Sequence, residues 1–145
     1  MSRDITVLTG YNGFIGKNFL RKIGECETVE QETCWHWLES FKDWHRVKQV
    51  IHQGAISSTV CTDVELIHQC NTRFTILLFE LCAKHDVPVI KYASSASVYG
   101  MQDKTINPLN FYAISKVQVD YWVQQNIHRF PVIQGFRYFN VYGPR

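Results

Sequence analysis

The chain has 145 residues, 46% of them apolar and 19% charged, with a formal net charge of +2. That size fits a single domain with a real core, and the composition is that of a globular protein and not of a disordered one. Scattered Lys and Arg residues argue against nucleic acid or an anionic membrane as partner, and five cysteines at irregular spacing argue for reduced thiols in a cytosolic compartment.

The polar opening leads into ITVLTG (residues 5–10), an apolar run too short for a signal peptide. No run approaches the roughly 18 apolar residues of a membrane span, so a cytoplasmic protein that does not enter the membrane is expected. The same run is β-branched and stops at a glycine, which predicts a strand followed by a turn. Gly10-x-x-Gly13-x-x-Gly16 then opens a predicted helix. The first glycine allows a tight reversal, the second a close approach of backbone to a pyrophosphate, and the third close packing of helix on strand. The free N–H groups and positive dipole end of such a helix suit phosphates.

Residues 16–48 have room for one helix, one strand and one short helix, where a full doubly wound half needs two strands. ETVEQ (27–31) is the expected strand and HWLESFKDW (36–44) the expected helix, so the sheet should be one strand short between residues 17 and 47. Glu30 and Glu32 are the candidates for the acidic residue that holds a cofactor ribose, although a solvated acidic turn explains them equally well. The choice between NAD and NADP is left open. Cys34 and His36 would share a strand face, but no tight C-x-x-C or H-x-x-x-H pair accompanies them, and no metal is expected.

KQVIHQGA (48–55) repeats the pattern of strand and glycine. Thr62-Asp63-Val64-Glu65 reads as a capping box, followed by Ile67, Cys70, Phe74, Leu77, Leu78 and Leu81 at helical spacing. VPVIKYASS (87–95) is another strand, residues 110–129 a helix with Val117, Tyr121 and Trp122 on its apolar side, and PVIQGFRYFN (131–140) the last strand. Strands alternating with helices predict an α/β fold, a doubly wound parallel sheet of Rossmann type forming one dinucleotide-binding domain over residues 1–145. Ligands of such sheets bind beyond the carboxyl ends of the strands. Gly10, residues 52–55, Ser94, Ser95 and residues 138–140 gather there.

Tyr112 and Lys116 stand four apart on the last predicted helix, so their side chains lie one above the other. On a wet face the pair is a mild stabilising contact. Facing a pocket, the ammonium would pull a phenol towards ionisation and make it a usable base. The hydroxyls of ASSASVYG (93–100) are likewise open to two readings: serines that satisfy their own backbone, or a hydroxyl that holds a substrate oxygen while a tyrosine removes its proton.

In chain order, TGYNGFIG (9–16), ASSASVYG (93–100) and YAISK (112–116) resemble the extended short-chain dehydrogenase/reductase family, the NAD-dependent epimerases and dehydratases. Within it, HQGAISST (52–59), NPLNFYAISK (107–116) and GFRYFNVYGPR (135–145) are most similar to the heptose 6-epimerase branch. The likeness covers the first 20 residues and most of 48–145. The middle stretch and the loop at 101–106 are shorter than the family's. The resemblance implies Tyr112 as catalytic acid/base, Lys116 as its pKa modifier and ribose ligand, and Ser95 as the oxygen-holding hydroxyl. It implies Gly10, Gly13, Phe14, Ile15 and Gly16 at the pyrophosphate, Ala55 towards the adenosine half, and Asn71, Tyr138 and Phe139 towards the nicotinamide half of NAD or NADP. Ser57 and Asn140 would touch the nucleotide-sugar substrate.

The implied setting is nucleotide-sugar metabolism feeding lipopolysaccharide biosynthesis. In relatives a substrate domain and a second catalytic base follow a motif like RYFNVYGP (137–144), so the expectation is a cofactor-binding portion without its C-terminal substrate domain. Such a portion would bind cofactor without epimerising and would self-associate, as a homo-oligomer or with a partner that supplies the substrate domain. Two alternatives share the motifs. One is a sibling hexose 4-epimerase or 4,6-dehydratase, although SASVYGMQD (95–103) lacks a dehydratase's plain acidic pair. The other is a non-catalytic Rossmann module that binds dinucleotide and turns nothing over.

Overall fold

The computed structural model describes residues 3–10, 17, 21, 26–54, 63–95 and 111–138, the side chains of Ser95, Arg137 and Tyr138 excepted. Five strands form one sheet: β1 (Ile5–Thr9), β2 (Glu27–Val29), β3 (Val47–His52), β4 (Val89–Ser95) and β5 (Val132–Tyr138). Their order is β2-β1-β3-β4-β5 and every pairing is parallel. Parallel strands need crossovers and helices over both faces, which is why these segments read as near-continuous apolar runs. Val7, Leu8, Val50 and Ile90 have no exposed surface. Each such side chain contributes about 1.5–3 kcal/mol relative to an exposed one.

Among the described residues β2 is the one strand between 17 and 47, so the sheet is short at that edge as the spacing predicts. The space is filled by aromatic rings. Helix α1 (Cys34–Ser40) and a 3-10 turn (Trp44–Arg46) bring Trp37 against Phe41 at 4.9 Å and Trp44 against Phe41 at 5.1 Å between ring centres. Arg3 ties this corner together by donating to the carbonyls of Trp44, Val47 and His85.

Three expectations are corrected. α1 begins at Cys34 and not at 36, so Cys34 and His36 lie two apart on a helix and point in different directions. The cap of the next helix, α2 (Val64–Ile67), is Asp63, whose carboxylate accepts the Leu66 N–H at 3.0 Å; a short acidic side chain can do this without the reciprocal box. The third concerns which faces are buried. A π-helical turn (His68–Arg73) joins α2 to α3 (Phe74–Lys84), and its extra residue rotates the face that follows. Ile67, Phe74 and Leu78 of the expected face are buried, but Asn71, Thr75, Phe79 and Cys82 are buried with them and Leu77 is 38% exposed. On α4 (Phe111–Asn126) the inward stripe is Ala113, Lys116, Val119 and Val123, and Tyr121 stands in solvent at 65% exposure.

Candidate functional site at the strand ends

The carboxyl ends of β1, β2 and β3 converge on a cavity of about 160 Å³, lined by Thr9, Gly10, Glu30, Gln53 and Gly54, with Phe74 at its floor. Gly10 has φ of +69°, and a Cβ there would fall 2.7 Å from the backbone nitrogen of Gly54. A side chain is excluded by conformation and by space. The Gly10 N–H donates to the Val29 carbonyl at 3.0 Å, which brings Glu30, the first residue after β2, to the cavity wall. Glu32 lies in the exposed turn beyond. Because β2 is only three residues long, Glu30 reaches the place where an acid can meet a ribose although the preceding segment is short.

The floor is held by a buried relay that local sequence patterns do not reveal. Thr9 Oγ1 accepts the N–H groups of Gln53 at 3.0 Å and Gly54 at 2.9 Å. Its own proton then goes to His52 Nδ1, 2.6 Å away, leaving the ring proton on Nε2 to be donated to Thr75 Oγ1 at 2.7 Å. Burial, and secondarily the charge of Lys116, push the His52 pKa down to about 3, so the ring is neutral. The relay links β1, β3 and α3 and sets the backbone that lines the cavity.

Gln53 differs from its neighbours. Both of its side-chain amide atoms are buried and, among the described residues, have no hydrogen-bond partner. A glycine-gated cavity with an acid on its wall and an unsatisfied amide beside it fits the adenosine half of a dinucleotide. Gly10, Glu30, Gln53 and Gly54 are the described residues that could hold it.

The second part of the site lies on α4 and β4. The Lys116 ammonium is 5.7 Å from the centre of the Tyr112 ring, so the side chains stack as their spacing predicts. Lys116 is buried, and it donates to the Ala93 carbonyl at 2.9 Å. Burial lowers its pKa to about 8, with Asp120 opposing the shift. The amide of Asn71, from the π turn, donates to Ser115 Oγ at 3.1 Å, and that hydroxyl donates to the Tyr112 carbonyl at 2.6 Å. Asn71 thus braces the turn that carries Tyr112. Ser94 is buried and donates to the Asp120 carboxylate at 2.8 Å, a role that neither reading of the strand-end serines anticipates. Ser95 ends β4 directly beside Tyr138 in the β4–β5 ladder. Gly13, Phe14, Ile15, Gly16, Ala55, Ser57, Phe139 and Asn140 lie outside the described residues. Among the described residues no three His, Cys, Asp or Glu side chains could hold a metal ion together, and no helix is long and apolar enough to cross a membrane.

Comparison with known proteins agrees with this geometry. The chain is 29% identical to an ADP-L-glycero-D-manno-heptose-6-epimerase of Fusobacterium nucleatum, a match that covers 96% of the chain and 53% of the relative. The solved ADP-L-glycero-D-manno-heptose-6-epimerase of Helicobacter pylori superposes with a TM-score of 0.79 at 24% identity, over 99% of this chain and 57% of that one. MoeE5, solved with UDP-glucose and NAD, gives 0.78 at 23% identity, over 97% and 56%. The chain therefore spans about half the length of the relatives it matches. The profile of the NAD dependent epimerase/dehydratase family matches residues 29–145. With its parallel sheet and glycine-gated strand ends, this chain belongs to the NAD dependent epimerase/dehydratase family, whose cofactor is NAD.

Proposed function

We propose that residues 1–145 form one dinucleotide-binding domain, the cofactor-binding and Ser/Tyr/Lys portion of a cytoplasmic nucleotide-sugar epimerase of the ADP-heptose 6-epimerase kind. The observation that carries this reading is the buried Lys116 ammonium stacked under Tyr112 at the carboxyl end of β4. Burying a lysine costs stability, and a cation kept there at that cost fits a functional role better than a structural one.

In this reading Gly10, Gly13, Phe14, Ile15 and Gly16 take the pyrophosphate, Glu30 and Ala55 flank the adenosine half, and Tyr138 and Phe139 flank the nicotinamide half. Bound NAD supplies a reversible hydride acceptor. Tyr112 takes the proton of the sugar hydroxyl and returns it, Ser95 holds that oxygen, and Lys116 places a cation beside the tyrosine. Ser57 and Asn140 reach the nucleotide sugar. The Fusobacterium relative supports an ADP-heptose as the sugar.

The test combines calorimetry with NAD and a product assay on a panel of ADP-, GDP-, UDP- and dTDP-sugars, run on every assembly of the chain that turns over. NAD should bind, and Tyr112→Phe should keep affinity within a few-fold while abolishing turnover. The ADP-sugar should be preferred. Absence of NAD binding, or normal turnover by Tyr112→Phe, sinks the reading.

A further inference from the structure

Lys116 is not the end of the polar stack on α4. Tyr112, Lys116 and Asp120 are spaced i, i+4 and i+8, one above another on the helix face that meets β4. Three consecutive residues of β4 engage the last two of them. Tyr92 Oη donates to Asp120 Oδ1 at 2.8 Å, and Ser94 Oγ donates to Oδ2 at 2.8 Å. Tyr92 and Ser94 project from the same side of the strand because side chains alternate. Ala93, between them, presents its carbonyl to the Lys116 ammonium.

Space for this arrangement comes from β5. Gly135 stands opposite Tyr92 in the ladder, and a Cβ there would lie 2.5 Å from the tyrosine hydroxyl. Any side chain would push the ring off Asp120.

Among the described residues, four groups face Lys116. From α4 it is faced by Tyr112 and Asp120, from β3 by the neutral His52, and from β4 by a carbonyl dipole. Among these groups Asp120 supplies the one negative charge that offsets the loss of water. Its two oxygens accept from the strand hydroxyls, and the ammonium donates to Ala93.

We propose that Asp120 is a positioning residue that keeps the Lys116 side chain charged, with Tyr92 and Ser94 fixing its carboxylate one helical turn beyond the lysine. The proposal rests on reading Lys116 as the cation of the site. Without Asp120, desolvation acts unopposed and Lys116 loses its proton closer to neutrality. The stack would then lose its cation in the pH range where a tyrosine needs one.

The test uses the cofactor-free protein with 13C-labelled lysine and follows the Lys116 Cε resonance, assigned by its loss in Lys116→Arg, against pH. Asp120→Asn keeps the shape and removes the charge; it should lower the Lys116 midpoint by about one pH unit. Asp120→Glu should return most of that shift, and Asp120→Ser is the neutral variant to use where Asp120→Asn does not fold. A midpoint unmoved in a folded neutral variant overturns the proposal. So does a Glu variant that folds where neither neutral variant does, since the carboxylate would then serve only as a clamp. The same titration repeated as NAD affinity against pH separates the two readings. Affinity insensitive to the Lys116 midpoint removes the functional reading of the lysine and leaves the Asp120 effect standing.

Discussion

Lys116 shows at the scale of one residue how a site can oppose the stability of the fold that carries it. Its folded pKa of about 8 lies below the ordinary 10.5, so the unfolded chain binds more protons at intermediate pH. The resulting penalty is complete below pH 8, shrinks as pH rises, and is gone above 10.5. It amounts to about 3 kcal/mol at neutral pH. Lys116→Met should therefore be more stable than the parent at pH 7 in urea denaturation, by about 1–3 kcal/mol once the lost bond to Ala93 is allowed for. It should also lack the parent's gain in stability between pH 8 and 10.5, while binding NAD more weakly. A variant less stable than the parent at pH 7 makes the lysine a structural residue.

At the scale of elements, the π turn is what sequence reasoning missed. Short apolar runs that stop at glycine or polar residues and a tyrosine–lysine pair at helical spacing are coded locally, so β1, β3, β4, β5, α4 and the Tyr112–Lys116 stack are legible from the residues alone. The turn at His68–Arg73 is not, because HQCNTR carries neither proline nor glycine; of its residues Asn71 and Thr72 are buried. The Thr9–His52–Thr75 relay and the clasp on Asp120 escape because each joins residues 23 to 43 positions apart. Glu30 is legible as a candidate, but its place on the cavity wall depends on how short β2 is. The turn gives a direct expectation. Asn71→Ala leaves Ser115 without its donor and should destabilise the chain by about 1–3 kcal/mol. It should also raise amide hydrogen exchange at Tyr112 and Ser115 more than at Val119 and Val123. Uniform exchange along α4 would mean that Asn71 does not brace the tyrosine's turn.

The whole molecule is uneven at its two sheet edges. β2 is three residues long and leans on the ring cluster of Trp37, Phe41 and Trp44, a short and well-covered edge. β5 is seven residues long and pairs with β4 on one side; no strand lies on its other side among the described residues. Val132 and Phe136 are each 40% exposed there. A long apolar edge is a template for pairing with another chain. The purified protein should therefore self-associate with rising concentration in sedimentation velocity, and Val132→Lys with Phe136→Lys should reduce that association. A parent that stays monomeric throughout the accessible range removes the edge as a docking strand.

The strand order β2-β1-β3-β4-β5 also bears on how the chain can be made. β1 emerges first from the ribosome and ends between β2 and β3, the next two to appear; β4 then adds beside β3, and β5 beside β4. Among the described strands, each one after β1 joins a neighbour already made, and none has to wedge between two already joined. Parallel sheets fold slowly because their pairings are non-local. In this one, translation can lay down the layers in order, outward from a finished centre, with the half-built sheet exposing its newest edge.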